Sequence, residues 1–165
     1  MEIATDDFHL ITVEVGGREE SSSHELAYQG LSRYMSTRNL YEAGLTSEVF
    51  EILQHPVRLE IKADKTLFYV EKQKPGADVT IIAEIEKYNF GEIPANQNLG
   101  WLGKHGIDAL TVKGTENQEL ISEYFKADGN NLQTRIPMKL FMATPDPQLA
   151  IGDCLFYLVG MDRCI

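Results

Sequence analysis

The chain has 165 residues and a mass of 18.6 kDa, with 15 Lys and Arg against 25 Asp and Glu and a formal net charge of −10. Hydrophobic residues make up 43% and charged residues 24%, a globular balance that excludes collagen, low-complexity and wholly disordered chains. The acidic excess argues against nucleic-acid binding, which needs Lys and Arg to displace counterions, and no run of 18 apolar residues is present to cross a membrane.

One domain over residues 1–165 is expected at this length, with enough chain to bury a core without metals or disulfides. The start, Met1 to Asp7, is acidic and lacks the basic and apolar stretches of a secretory signal. The two cysteines, Cys154 and Cys164, do not suggest a disulfide framework, and Cys154 lies in an apolar run that suits a core position. A cytoplasmic location is therefore expected.

In chain order, His9 to Val15 is rich in β-branched residues and reads as a strand ended by Gly16-Gly17. Gly16 to Ser23 is a short polar loop. Ser22 with Glu25 forms a capping box, and Ala27, Leu31, Tyr34 and Met35 then mark one face of a helix. A second short helix is expected over Ser47 to Gln54. Val57 to Lys62 alternates apolar and charged residues, the pattern of a strand with one wet face. A turn at 63–65 is expected to fold it into a hairpin with Thr66 to Val70, and Val79 to Glu86 would add a third strand.

Residues 88–106 show little periodicity and read as a 19-residue loop, a length that is uncommon without a function. Ile107 to Lys113 reads as a strand. Thr115 with Gln118 is another capping box, and the stripe Leu120, Ile121, Tyr124 and Phe125 predicts a helix closing at Gly129. Ile136 to Ala143 and Leu155 to Val159 read as strands, the last apolar on both faces and hence central. The order predicts an α+β domain with a mainly antiparallel sheet of about six or seven strands and two or three helices. A β-sandwich with small helices is the alternative.

The 88–106 loop carries the only Trp and a Lys-His pair, so Trp101, Lys104 and His105 are the candidate binding residues there. Gly103-Lys104 is not a phosphate loop, because Asn98 stands where the first Gly belongs and His105 where the hydroxyl residue belongs. The histidines are scattered and no metal-ligand spacing occurs, so no metal or cofactor is expected. Glu84 and Glu86 would share one strand face, as acids on any wet strand do, and Asp146 between two prolines suits a turn. No catalytic residue is nominated.

The acidity is uneven: residues 1–53 hold ten acids against three arginines, a net −7, and the remainder carries −3. Glu19 and Glu20 are therefore candidates for contact with a basic protein partner. The expected function is a non-catalytic acidic protein-binding domain, such as an inhibitor or immunity-type protein. Two alternatives stand beside it. One is a self-assembling subunit of a phage or secretion complex. The other is a small-molecule binder or enzyme using the 88–106 loop.

Overall fold

The computed structural model describes residues 21–38, 53–114 and 116–161. The chain divides into two compact units, residues 1–49 and 50–165. In the first, α1 (Ser21–Ser36) covers the apolar spacing that predicts a helix, but it includes Ser21, so Ser22 lies inside the helix and is not its N-cap. Its C-terminus is tied down by the Ser36 and Thr37 hydroxyls, which both donate to the Arg33 carbonyl. The expected strand at His9 to Val15 lies outside the described residues, as do Glu19, Glu20 and residues 47–52 of the second expected helix.

The second unit is built from two five-stranded, largely antiparallel sheets with small helices. The first sheet has the order β4 (Glu92–Ile93), β9 (Met138–Phe141), β10 (Phe156–Gly160), β1 (Val57–Ile61), β6 (Leu110–Lys113), antiparallel throughout. The second has the order β2 (Leu67–Tyr69), β3 (Val79–Ile81), β5 (Asn98–Leu102), β8 (Asn131–Thr134), β7 (Phe125–Asp128). Only β2 and β3 run parallel. Among the described residues the strands number ten rather than six or seven, because β4 and β5 lie in the segment read as a loop and β7 and β8 in and just beyond the segment read as a helix. β10 is central, as its two apolar faces predict.

Alternation decides the core. Leu59, Val112, Phe156 and Leu158 point inward from the first sheet, and Val79, Ile81, Leu99, Phe125 and Leu132 from the second. All belong to one buried cluster, so the sheets stabilise each other by removing the same apolar surface from water. Each such side chain contributes about 1.5–3 kcal/mol. Cys154 is also buried.

Four expectations are corrected. The turn after β1 forms, with the Lys65 N–H donating to the Lys62 carbonyl, but β1 and β2 enter different sheets instead of pairing. The third strand stops at Ile81, and Ile85–Tyr88 is a 3₁₀ turn, so Glu84 and Glu86 do not share a strand face. The 88–106 segment is no loop: it contains β4 and the central strand β5. The helix expected over 115–129 is a single turn, α2 (Ile121–Tyr124). Beyond it, Phe125 to Thr134 folds as the β7–β8 hairpin around Gly129-Asn130, with Gly129 at φ +57°.

A last helix, α3 (Pro147–Gly152), starts at Asp146. The Asp146 carboxylate accepts from the Gln148 and Leu149 N–H groups, so it is an N-cap rather than a simple turn residue.

Candidate functional site

On the second sheet, the 88–106 residues are placed by β5. Trp101 is half-buried and lies opposite Thr80 of β3 and Asn131 of β8. Phe68 of β2 and Asp128 of β7 complete a row in register across all five strands. Val79, Ile81 and Leu102 face the core, so this row faces the other way. Gln73 and Lys74, from the connection between β2 and β3, cover part of it: the Lys74 N–H donates to Thr80 Oγ1 and the Gln73 amide to the Leu102 carbonyl. Thr80 is consequently buried.

His105 lies in the turn after β5 and meets a residue that sequence reasoning missed. Its Nδ1 is 2.5 Å from Oδ1 of Asp78. Asp78 Oδ2 accepts from the Thr66 N–H at 2.9 Å and the Thr66 hydroxyl at 3.0 Å. The Thr66 N–H and the His105 ring together hold the Asp78 carboxyl down at about 2. Asp78 is therefore an anion at neutral pH, which makes Nδ1–H the donor and fixes the imidazole's orientation. No second group hydrogen-bonds His105 among the described residues, so the pair pins the β5 turn to β3. Lys104 is exposed in the same turn. No hydrogen bond or ion pair joins Trp101, Lys104 and His105 to one another among the described residues. Nothing local in the sequence marks Asp78, which is 27 residues from His105.

Two of the glycines of this segment, Gly100 and Gly103, serve strand packing and do not open a space for a ligand. A Cβ on Gly100 would lie 2.1 Å from the Thr80 carbonyl oxygen, and one on Gly103 would lie 2.0 Å from that of Ala77. Both let β5 approach β3. A shallow depression of about 420 Å³ lies elsewhere, lined by Glu71, Ile82, Ala83, Glu84, Lys87 and Tyr88, with Glu84 and Lys87 paired at 2.5 Å. Among the described residues, no group of three or more His, Cys, Asp or Glu side chains gathers as a metal site, and no helix is long and apolar enough to cross a membrane.

The first sheet carries a different surface. Phe141, Tyr157, Arg58 and Lys113 form one row across β9, β10, β1 and β6, on the face opposite the core. Phe141 and Tyr157 stack with centroids 5.6 Å apart and planes 20° apart. Phe90 continues the stack on Phe141 at 6.0 Å and 19°. Beyond Tyr157, Arg58 pairs with Glu60 at 3.0 Å and Asp153 at 3.1 Å. Burial works against the guanidinium's charge, but Glu60, Tyr157 and Asp153 outweigh it and raise its pKa.

Phe90 and Met142 are 66% and 48% exposed, and both have left-handed backbones, at φ +62° and +56°. Such a conformation costs a bulky residue about 1–3 kcal/mol. Hydrogen bonds around it hold the chain there. The Phe90 N–H donates to the Leu140 carbonyl at 2.8 Å, and the Asn89 amide both accepts from the Ala143 N–H and donates to the Ala143 carbonyl. The surrounding structure thus enforces two unfavourable backbones whose side chains project into solvent. Phe90 fell inside the segment chosen from the sequence, but its stacking depends on a register that local reading does not supply.

No protein-family model, curated protein or solved structure matches the chain.

Proposed function

We propose that this chain is a non-catalytic protein-binding domain, of the inhibitor or neutralising kind, and that it docks through Phe90, Phe141, Met142 and Tyr157. The observation that carries this reading is the pair of exposed apolar side chains, Phe90 and Met142, held in strained backbones beside an aromatic stack. Strain of this sort concentrates at functional sites. Aromatic residues, Met and Arg are also the types enriched at protein interfaces. The net charge of −10, with Glu19 and Glu20 contributing, steers the domain towards a basic partner.

The test is capture of a partner from extracts of the source cell, followed by measured affinity. Phe90→Ala with Met142→Ala should weaken binding by about thirtyfold or more, as loss of an interface anchor does. Trp101→Ala and His105→Ala should leave it unchanged. Glu19→Lys with Glu20→Lys should slow association and flatten its salt dependence. Unaltered affinity in the Phe90/Met142 variant would overturn the assignment of the surface. If the captured partner is a second copy of the chain, detected by light scattering, the assembly-subunit reading replaces the inhibitor one.

A further inference from the structure

We propose that β7 is a docking edge for a second copy of this chain. The two β7 strands pair antiparallel about Ala127, so that Lys126 of each copy meets Asp128 of the other. This is independent of the docking surface above, which lies on the other sheet. β7 is an outer strand of the second sheet and pairs only with β8. Hydrogen-bonded and non-bonded residue pairs alternate along an antiparallel ladder. The Arg135 N–H donates to the Tyr124 carbonyl at 2.7 Å. By alternation, Lys126–Gln133 and Asp128–Asn131 are bonded pairs and Ala127–Leu132 is not. The N–H and C=O of Ala127 therefore point off the sheet. Ala127 is exposed, and no hydrogen bond from outside the sheet reaches its backbone among the described residues.

The outer strand β6 of the first sheet is closed where β7 is open. The Val112 N–H donates to Glu119 Oε1 at 2.9 Å, and the Val112 carbonyl accepts from the Leu120 N–H at 2.8 Å. An open edge is a template for a further strand, and the side chains flanking Ala127 select which one. Lys126 and Asp128 share one face of β7, away from the core side marked by the buried Phe125. Lys126 donates to the neutral Asn96 amide at 2.5 Å, and Asp128 accepts from the neutral Gln133 amide at 3.1 Å. Neither has an ion-pair partner among the described residues.

Two-fold pairing about Ala127 sets each Lys126 directly opposite the other copy's Asp128, two opposite-charge pairs in one contact. Centring the pair on Lys126 or on Asp128 would instead set like charges face to face, so the charges fix the register. A uniformly basic or uniformly acidic strand would meet one of the two side chains with its own sign. The chain's own β7 satisfies both. The contact is short, so the dimer is weak.

The experiment is sedimentation equilibrium of the whole chain at low salt, up to about 1 mM, with amide hydrogen exchange followed at low and high concentration. A monomer–dimer equilibrium with Kd on the order of 100 µM is expected. The Ala127 amide should exchange more slowly as concentration rises, while the Lys126 amide, already bonded to β8, should not change. Each single reversal, Lys126→Asp or Asp128→Lys, acts at both symmetric pairs and should weaken the dimer about tenfold. The double variant carrying both reversals should restore it to within about twofold. Ala127→Pro removes an N–H that bonds nothing within the chain and should abolish the dimer. If that variant does not fold, the reversals and the exchange data decide. A chain that stays monomeric throughout, a dimer indifferent to both single reversals, a double variant no better than the singles, or Ala127 exchange independent of concentration would each overturn the inference. So would a dimer lost in the Phe90→Ala with Met142→Ala variant, which would place self-association on the other sheet. A dimer that survives in that variant and falls to the charge reversals belongs to β7, whatever becomes of the Phe90 surface.

Discussion

Phe125 of β7 and Phe156 of β10 meet edge to face, with centroids 6.4 Å apart and planes at 61°, although they belong to different sheets. Both are fully buried, so the contact is a direct tie across the shared core. Phe156→Ala removes the ring and leaves a cavity that both sheets line. The expected cost is about 3–5 kcal/mol, read as a lowered urea midpoint with an unchanged denaturant slope.

Glycine substitutions should separate close approach from mere flexibility. At Gly100 and Gly103 a new methyl would run into the backbone carbonyls of Thr80 and Ala77. β3 and β5 would have to part, and Gly100→Ala or Gly103→Ala should destabilise by about 1–3 kcal/mol or more. Gly30, within α1, has nothing within 4 Å of its would-be Cβ. Gly30→Ala should therefore strengthen the helix by up to about 1 kcal/mol, visible as increased helical ellipticity.

The Asp78 carboxyl has a folded pKa of about 2, below its ordinary value of 3.8. A depressed acid stabilises the fold above its unfolded pKa. That contribution is lost as pH falls from about 4 towards 2, because the unfolded chain takes up the proton first. Urea midpoints measured across this window should fall more steeply for the natural protein than for Asp78→Asn. Parallel slopes would show that the Thr66–Asp78–His105 linkage is not holding the carboxylate down.

Cys154 behaves in the opposite sense. Burial, followed by the negative charge of Asp153, pushes its thiol up to about 11. The neutral thiol is thus favoured in the folded state, and its contribution to stability is complete below about pH 9. It is lost as pH rises from about 9 towards 11. In a Cys164→Ser background, a thiol reagent at pH 8 should modify the folded chain on the order of a hundredfold more slowly than the urea-unfolded chain.

Elements defined by their own side chains were legible. The alternation of Val57 to Ile61, the two-faced apolarity of β10 and the stripe of α1 each follow from local periodicity. What misled was competition between local signals and distant partners. Leu120, Ile121, Tyr124 and Phe125 have helical spacing, yet the turn at Gly129-Asn130 lets Phe125 reach the inter-sheet core as a strand residue. Gly100 and Gly103 look like loop residues, although they serve tight strand packing. Of the chosen site residues, His105 acquires a role only through Asp78, and Trp101 only through its row. The Phe90–Phe141–Tyr157 stack gathers residues from three separate strands and turns, with Phe90 51 residues before Phe141, so neither spacing nor composition could reveal it.

The left-handed backbones at Phe90 and Met142 bear on how this protein would respond to redesign. A sequence optimised for stability alone would place glycine or asparagine at both positions, relieving strain and removing oily surface in one step. Such a variant should melt later and remain soluble at higher concentration. It would also have given up the two side chains that the surrounding hydrogen bonds hold outward.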